Sequence, residues 1–339
     1  VKIFRRKLFW FVVILVLIFW SFKFAKNYPS HIDLKAKDNF WGLTYSPKFA
    51  QSLGLNTDEL YVAILDDLQA KNIRLPIYWD DIEKSQGQFD FAQYDKLLDE
   101  GAKRDVKFVA NIGWRLPRWP ECHQPAWVKP SDLSATHEQI LGMMTQTINR
   151  YKGRPEIVAW QVENEPLLDW FGQCPNGDLE FLKKEVALVK SLDNTRPIII
   201  SASGELSTWR NETKVGDIFA TTVYRVVWNN WFSYTRYPVP AWFYHLKLYL
   251  NGSRRDQAII SELQTEPWVP YGSLKDLSYK EYNQSLNMEQ FKANLQFAIN
   301  VDFNQAYLWG VEWWYWQKQQ GHPEYWNLVK NLMAGNFDK

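Results

Sequence analysis

The chain is poor in the residues that most often carry metal or redox chemistry, with two cysteines and five histidines among 339 residues. The cysteines do not form a Cys-x-x-Cys pair and no histidine belongs to a His-Glu-x-x-His segment, so no metal site is expected. There is no Walker loop, no Gly-x-Ser-x-Gly elbow and no glycine-rich turn after the first strand-like run. Nucleotide hydrolysis, serine-esterase chemistry and dinucleotide binding thus lack their usual supports. No charge run of one sign marks a face for nucleic acid. Whatever the chain does is expected to need no cofactor.

Charge is nearly balanced, at +1 overall, but unevenly placed. Residues 1–26 hold Lys2, Arg5, Arg6, Lys7, Lys23 and Lys26 and no acid, so taking these six from +1 leaves −5 on the remainder. Residues 8–22 are apolar apart from Ser21. That run is short of the roughly 20 residues that span a bilayer, but Lys23 can snorkel and let Phe24 and Ala25 extend it. With a basic flank before it and no small-x-small cleavage site after it, the segment is expected to be an uncleaved signal anchor, a transmembrane helix with everything beyond it extracytoplasmic. Cleavage and secretion is the alternative. Residues 27–38 read as a polar tether and 39–339 as one catalytic domain. The sequence is silent on oligomeric state.

Short strand-like runs recur eight times after the tether, at residues 40–45, 73–77, 107–112, 157–162, 198–203, 218–223, 258–262 and 306–311. Segments of helical periodicity separate most of them, including 91–104, 132–151, 179–192 and 288–299, with Asn56 and Thr57 placed to cap a helix through Leu68. The fifth unit has room only for a short helix within 205–216. Apolar strands alternating with helices indicate a parallel sheet covered on both faces. Eight repeats point to an α/β fold closed as a (β/α)8 TIM barrel, with an open doubly wound sheet as the runner-up. Cys122 and Cys174 follow the third and fourth runs, and an exported protein permits them to pair. Two thiols too far apart to bridge are the alternative.

Glycosidic bonds break between two carboxyls, one protonating the departing oxygen while the other attacks or supports the sugar cation. Two glutamates stand where strands stop. Glu165 lies in WQVENEP (160–166), after the fourth run, and Glu262 in IISELQTEP (259–267), at the end of the seventh. Glu165 is expected to be the general acid and base, its pKa raised by apolar neighbours such as Trp160. An ordinary solvated loop acid is the alternative, and Glu163 is a decoy. Glu262 is expected to be the nucleophile, with Glu266 either a rival or the wall of a substrate subsite.

Asn-Glu after the fourth strand with a second glutamate closing the seventh resembles glycoside hydrolase clan A, the retaining (β/α)8 enzymes that include family 5 cellulases and mannanases and family 42 β-galactosidases. The resemblance covers roughly residues 39–333 and is strongest in IRLPIYWDDIEKSQGQFDF (73–91), WRLPRWP (114–120), WQVENEP and ISELQ. It implies that Arg74 hydrogen-bonds the nucleophile and keeps it ionised, that Asn164 binds the sugar 2-hydroxyl, and that Tyr224 hydrogen-bonds the nucleophile. Surface pairing of Arg74 with Asp80 or Glu83, and rim packing of Tyr224, are the plainer alternatives. The chain departs from family 5 in lacking histidines after the third strand and before the sixth-strand tyrosine, where it reads ANIGW (110–114) and TTVY (221–224).

Nineteen tryptophans suit the apolar faces of pyranose rings, although about half are expected to pack between helices and barrel. Trp114 and Trp313 are the expected substrate contacts, Trp313 as the platform that the clan places after strand eight, with Glu312 beside it on sugar hydroxyls. The expected activity is a retaining β-glycosidase, cellulase-like or β-galactosidase-like, acting on a β-linked oligo- or polysaccharide. An envelope transglycosylase on the same barrel, or a non-catalytic glycan-binding barrel, is the alternative.

Overall fold

Apolar segments too short for stable helices, and buried on both faces, pair side by side as parallel strands: β1 (Trp41–Thr44), β2 (Asn72–Pro76), β3 (Lys107–Ile112), β4 (Ile157–Val162), β5 (Ile198–Ala202) and β6 (Ile218–Val223). After β7 (Val226–Asn229) and β8 (Ser233–Arg236) come β9 (Ala258–Gln264) and β10 (Ala306–Trp309). In the computed structural model, which describes residues 6, 7, 9–14 and 32–336, eight of these close into a barrel in the order β1-β10-β9-β6-β5-β4-β3-β2. β7 and β8 form a separate antiparallel hairpin. This hairpin fills the long segment after the sixth barrel strand. It turns on Asn229, whose side chain accepts from the backbone N–H groups of Trp231 and Phe232.

Strand alternation builds the barrel interior in layers. Val109, Ala159, Ile199, Ala220, Ile259 and Tyr307, one from each of six strands, form an apolar cluster of their own. Two residues further along five of these strands come Asn111, Gln161, Ser201, Thr222 and Ser261, all buried and polar. The interior thus changes from apolar to hydrogen-bonding toward the C-terminal ends of the strands. The β6–β9 register shifts between Thr221 and Thr222, an irregularity that sets Glu262 opposite Thr222.

Helices lie close to their expected positions because their caps are encoded locally. Asn56 accepts from the N–H groups of Asp58 and Glu59, Asp132 from Ala135, and Asp178 from Glu180 and Phe181. The helix begun at Thr57–Val62 widens into a π-helical turn over Ala63–Asp67. The fifth unit holds only the 3-10 turn Glu212–Lys214. β10 stops at Trp309, two residues short of expectation, because Gly310 (φ 141°) turns the chain into the helix Val311–Gln319.

Among the described residues no helix is long and apolar enough to cross a membrane. Most of the expected anchor, residues 8 and 15–26 included, lies outside the described residues, as do residues 27–31 of the expected tether. The rest of the tether is not free. The backbone N–H of Asp33 donates to Gln296 Oε1 over 2.6 Å, and Leu34 is buried in the main core.

Candidate active site

Arg74, at the centre of β2, is 1% exposed and surrounded by acceptors from four other strands and loops. Its Nε donates to Gln161 Oε1 (2.7 Å), Nη1 to Glu262 Oε1 (2.9 Å), and Nη2 to Asn164 Oδ1 (2.8 Å) and Asn111 Oδ1 (3.3 Å). The second oxygen of Glu262 accepts from the Tyr224 hydroxyl over 3.0 Å. Glu262 therefore has a donor on each oxygen, which fixes the orientation of a carboxylate that is only 4% exposed. Burial, together with the negative charge of Glu262, pushes the Tyr224 hydroxyl well above its ordinary range, so it stays a donor.

The segment after β4 reverses its side chains by adopting positive φ at both glutamates, 58° at Glu163 and 47° at Glu165. Glu163 turns toward the loop after β3, where its carboxyl oxygens accept from the N–H groups of Trp114 (2.7 Å) and Arg115. Gly113 (φ 138°) makes room for this, since a Cβ there would lie 2.3 Å from Glu163 Oε1. Behind it Glu185 meets Glu163 carboxyl to carboxyl, and burial raises both. Such a contact requires a shared proton.

Glu165 turns the other way. Its N–H donates to Ser201 Oγ (2.9 Å), and its Oε1 accepts from the Thr222 hydroxyl (3.0 Å). Burial first, then the negative charge of Glu262, push its carboxyl up to about 8. Asn164, between the two glutamates, gives Oδ1 to Arg74 and Ser201 and directs Nδ2 at Glu121 Oε2 (3.4 Å).

Glu266 and Glu312 both meet Arg118, whose guanidinium lies 3.6 Å from the ring centre of Phe49 and 4.0 Å from that of Trp309. Glu266 Oε2 is buried without a partner. Glu312 is fully buried, with one oxygen on the Ser46 N–H (2.6 Å) and the other on Arg118 (2.7 Å), so it does not reach a sugar as expected. Trp313 is likewise fully buried, against Tyr282 and Tyr325, and is not a platform. Both corrections have one cause: Gly310 ends the strand early, and residues 312 and 313 fall in the first turn of a packed helix.

Trp114 is 7% exposed, its indole N–H on Gln124 (2.8 Å). The half-buried ring beside the site is Trp268, edge-on to Tyr224 with centres 5.5 Å apart. Nine of the eighteen described tryptophans are buried. Cys122 and Cys174 form a disulfide, Cα to Cα 5.4 Å, that ties the loop after β3 to the loop after β4. His123 is buried against Tyr78, and burial pushes it down to about 4, so it is neutral packing. No group of metal-ligating side chains occurs among the described residues.

Sequence reasoning missed Thr222, Ser201, Gln161 and, above all, Glu121. Glu121 sits one residue beyond the WRLPRWP motif, at φ 75°, and burial with the charge of Glu262 pushes its carboxyl well above the ordinary range. Its position beside Cys122 was the one available signal.

Residues 100–318 match the family described as glycosyl hydrolases family 2, TIM barrel domain. The chain belongs to that family. The likeness to clan A glycosidases holds, with family 2 as the matching member where the motifs had been compared with families 5 and 42. Among solved structures, the intracellular xylanase TsXylA from Thermoanaerobacterium saccharolyticum JW/SL-YS485 superposes with a TM-score of 0.54 at 17% identity, covering 84% of this chain and 90% of that one. Xylanase 10B from Thermotoga petrophila RKU-1 gives 0.54 at 13% identity, over 90% and 96%. At such identities these matches establish the fold. A β-galactosidase from the psychrophilic Marinomonas ef1 matches with a TM-score of 0.48 at 13% identity, over 68% of this chain, and the chain spans only 49% of its length.

Proposed function

We propose that the barrel is a retaining β-glycosidase in which Glu165 is the acid and then the base, and Glu262 the nucleophile. The observation that carries this reading is the contrast between two neighbouring carboxyls. Glu262 is gripped on both oxygens by Arg74 and Tyr224, while Glu165 has a hydroxyl partner and a proton held up to about 8. In the first step Glu165 gives its proton to the leaving oxygen as Glu262 attacks the anomeric carbon from the opposite side. In the second, Glu165, now ionised, takes a proton from water, which releases the sugar from Glu262.

Asn164 is held by Arg74 and Ser201 where the sugar 2-substituent would lie, and Trp268 takes the place proposed for a platform ring. Trp114 and Glu266 would line flanking subsites. The substrate is proposed to be a β-linked glycan. The disulfide supports placement in an oxidising compartment, outside the membrane to which residues 1–26 would anchor the domain through the tether.

Trapping with a 2-deoxy-2-fluoro glycoside and mapping the labelled peptide tests the assignment. A label on Glu262 is expected, and a label on Glu266, or full turnover by Glu165→Gln or Glu262→Gln, would remove it.

A further inference from the structure

The carboxyl of Glu121 stands beside the two proposed catalytic carboxyls but has no part in the two-step reaction. It is 5% exposed, and its only hydrogen bond among the described residues comes from Asn164 Nδ2 at 3.4 Å. No ion pair among the described residues reaches it. Arg115, whose charge it feels, spends both terminal nitrogens on the carbonyls of Leu168 and Phe171.

This placement is built in. The Glu121 N–H donates to the Arg118 carbonyl and its own carbonyl accepts from Leu116, each at 2.8 Å. Gly172 leaves space for the side chain, since a Cβ there would come within 2.8 Å of Glu121 Cβ and Cγ. The next residue, Cys122, is in the disulfide.

The linkage from Glu121 through Asn164 and Arg74 to Glu262 determines which sugar atoms Glu121 can meet. Glu262 attacks the anomeric carbon, whose ring neighbours are the ring oxygen and C2. Only C2 bears a polar substituent, so Asn164, which bonds Glu121 on one side and the arginine that holds the nucleophile on the other, puts Glu121 on the C2 side of the site. Charge then decides its chemistry. Of the four carboxyls around this space, Glu262 and Glu266 have guanidinium partners, while Glu121 and Glu165 have none. A hydroxyl would give Glu121 one neutral hydrogen bond. An ammonium would give a charge-assisted bond and supply the missing cation. A sugar carboxylate would add to the negative charge.

Resting on the glycosidase reading above, we propose that Glu121 is a specificity-determining residue that selects a sugar unit with a free primary amine at C2. N-acetylation removes the charge and adds bulk, so the acetylated sugar is disfavoured too.

The test compares chromogenic β-glycosides in gluco, galacto and manno configuration, each as the 2-amino, 2-hydroxy and 2-acetamido form, on the wild type and on Glu121→Gln. The 2-amino member of at least one set is expected to exceed its 2-hydroxy partner at least about tenfold in kcat/KM, and Glu121→Gln to bring that ratio close to one, whatever its effect on turnover of either member taken alone. Preference for the hydroxyl form in every set, or an unchanged ratio in the variant, overturns this proposal and leaves the glycosidase reading intact. No turnover of any member overturns both. Should Glu121→Gln fail to fold, the wild-type ratio alone decides the amine preference, and Glu121→Asp, which keeps the charge but withdraws it by one methylene, is expected to retain part of the ratio.

Discussion

Thr222 donates its hydroxyl to Glu165 Oε1 over 3.0 Å while standing directly opposite Glu262 in the β6–β9 ladder. Adjacent strands run about 4.8 Å apart, so the threonine that holds the proposed acid itself stands one strand spacing from the proposed nucleophile. The same hydroxyl accepts from the Gly204 N–H at 3.2 Å, which fixes it from the far side. Glu165 thereby acquires its position from β6 although it belongs to the segment after β4.

That contact predicts a pH profile. Glu165 must carry a proton to act as the acid, and its carboxyl is pushed up to about 8, so kcat/KM is expected to stay level toward neutrality and to fall as pH rises past about 8. The Thr222 hydroxyl favours the ionised form of Glu165. Thr222→Val removes that bond, so its alkaline limb should move to higher pH, at a cost of about 1 kcal/mol in stability. A limb well below neutrality, or one that Thr222→Val leaves in place, would contradict the assignment.

Much of the barrel was legible because its signals are local. Val109-Ala110 in β3 and Ile199-Ile200 in β5 are buried apolar runs whose ends need no tertiary information, and Asp132, Asp178 and Asn287 mark helix starts by capping chemistry. Glu165 and Glu262 were visible as acids where strands stop, and Arg74 and Tyr224 through the resemblance to clan A. What escaped depends on backbone conformation that sequence leaves open. Positive φ at Glu163 and Glu165 sends two glutamates in opposite directions, and Gly310 converts expected rim residues 312 and 313 into core. Glu121 was hidden because its loop is positioned by a disulfide and by a glycine fifty-one residues away.

Arg74 serves five acceptors, the Ser261 carbonyl at 3.5 Å included, so its replacement should affect both folding and rate. Arg74→Met leaves Glu262 buried without its cation and should cost about 3–5 kcal/mol, measurable by urea unfolding. Arg74→Lys keeps a charge but cannot reach Gln161, Asn164 and Glu262 together. It should unfold nearer the wild type while losing about 100-fold in kcat, since the carboxylate is no longer oriented. Equal stability losses in both variants would argue against an orienting role.

The Glu163–Glu185 pair should make stability fall in mild alkali. Both carboxyls are raised in the folded protein, so the folded state binds more protons than the unfolded one above the ordinary carboxyl range. Their contribution is fully present below about pH 4.3 and is lost as pH rises through the folded values. Glu185→Gln replaces the shared proton by an amide hydrogen that does not titrate. Thermal melts from about pH 6 to 9 should therefore show a steep decline for the wild type and a flatter one for the variant, each tenfold difference in proton affinity being worth about 1.4 kcal/mol. Parallel curves would assign the alkaline loss to other groups.

The disulfide should matter more to the site than to the fold. Closing a loop across a sequence separation of 52 residues is worth about 4 kcal/mol by chain entropy, a moderate share for a barrel with so large a core. Yet the bridge holds the residue next to Glu121, and the loop it secures also carries Arg115 and Arg118. Cys122→Ser with Cys174→Ser is expected to remain folded at room temperature, to melt earlier, and to lose turnover at temperatures where circular dichroism is unchanged. Adding reductant to the wild type should reproduce this loss and leave the double variant unaffected. Activity that tracks folded fraction alone, in both preparations, would reduce the bridge to a stabilising staple.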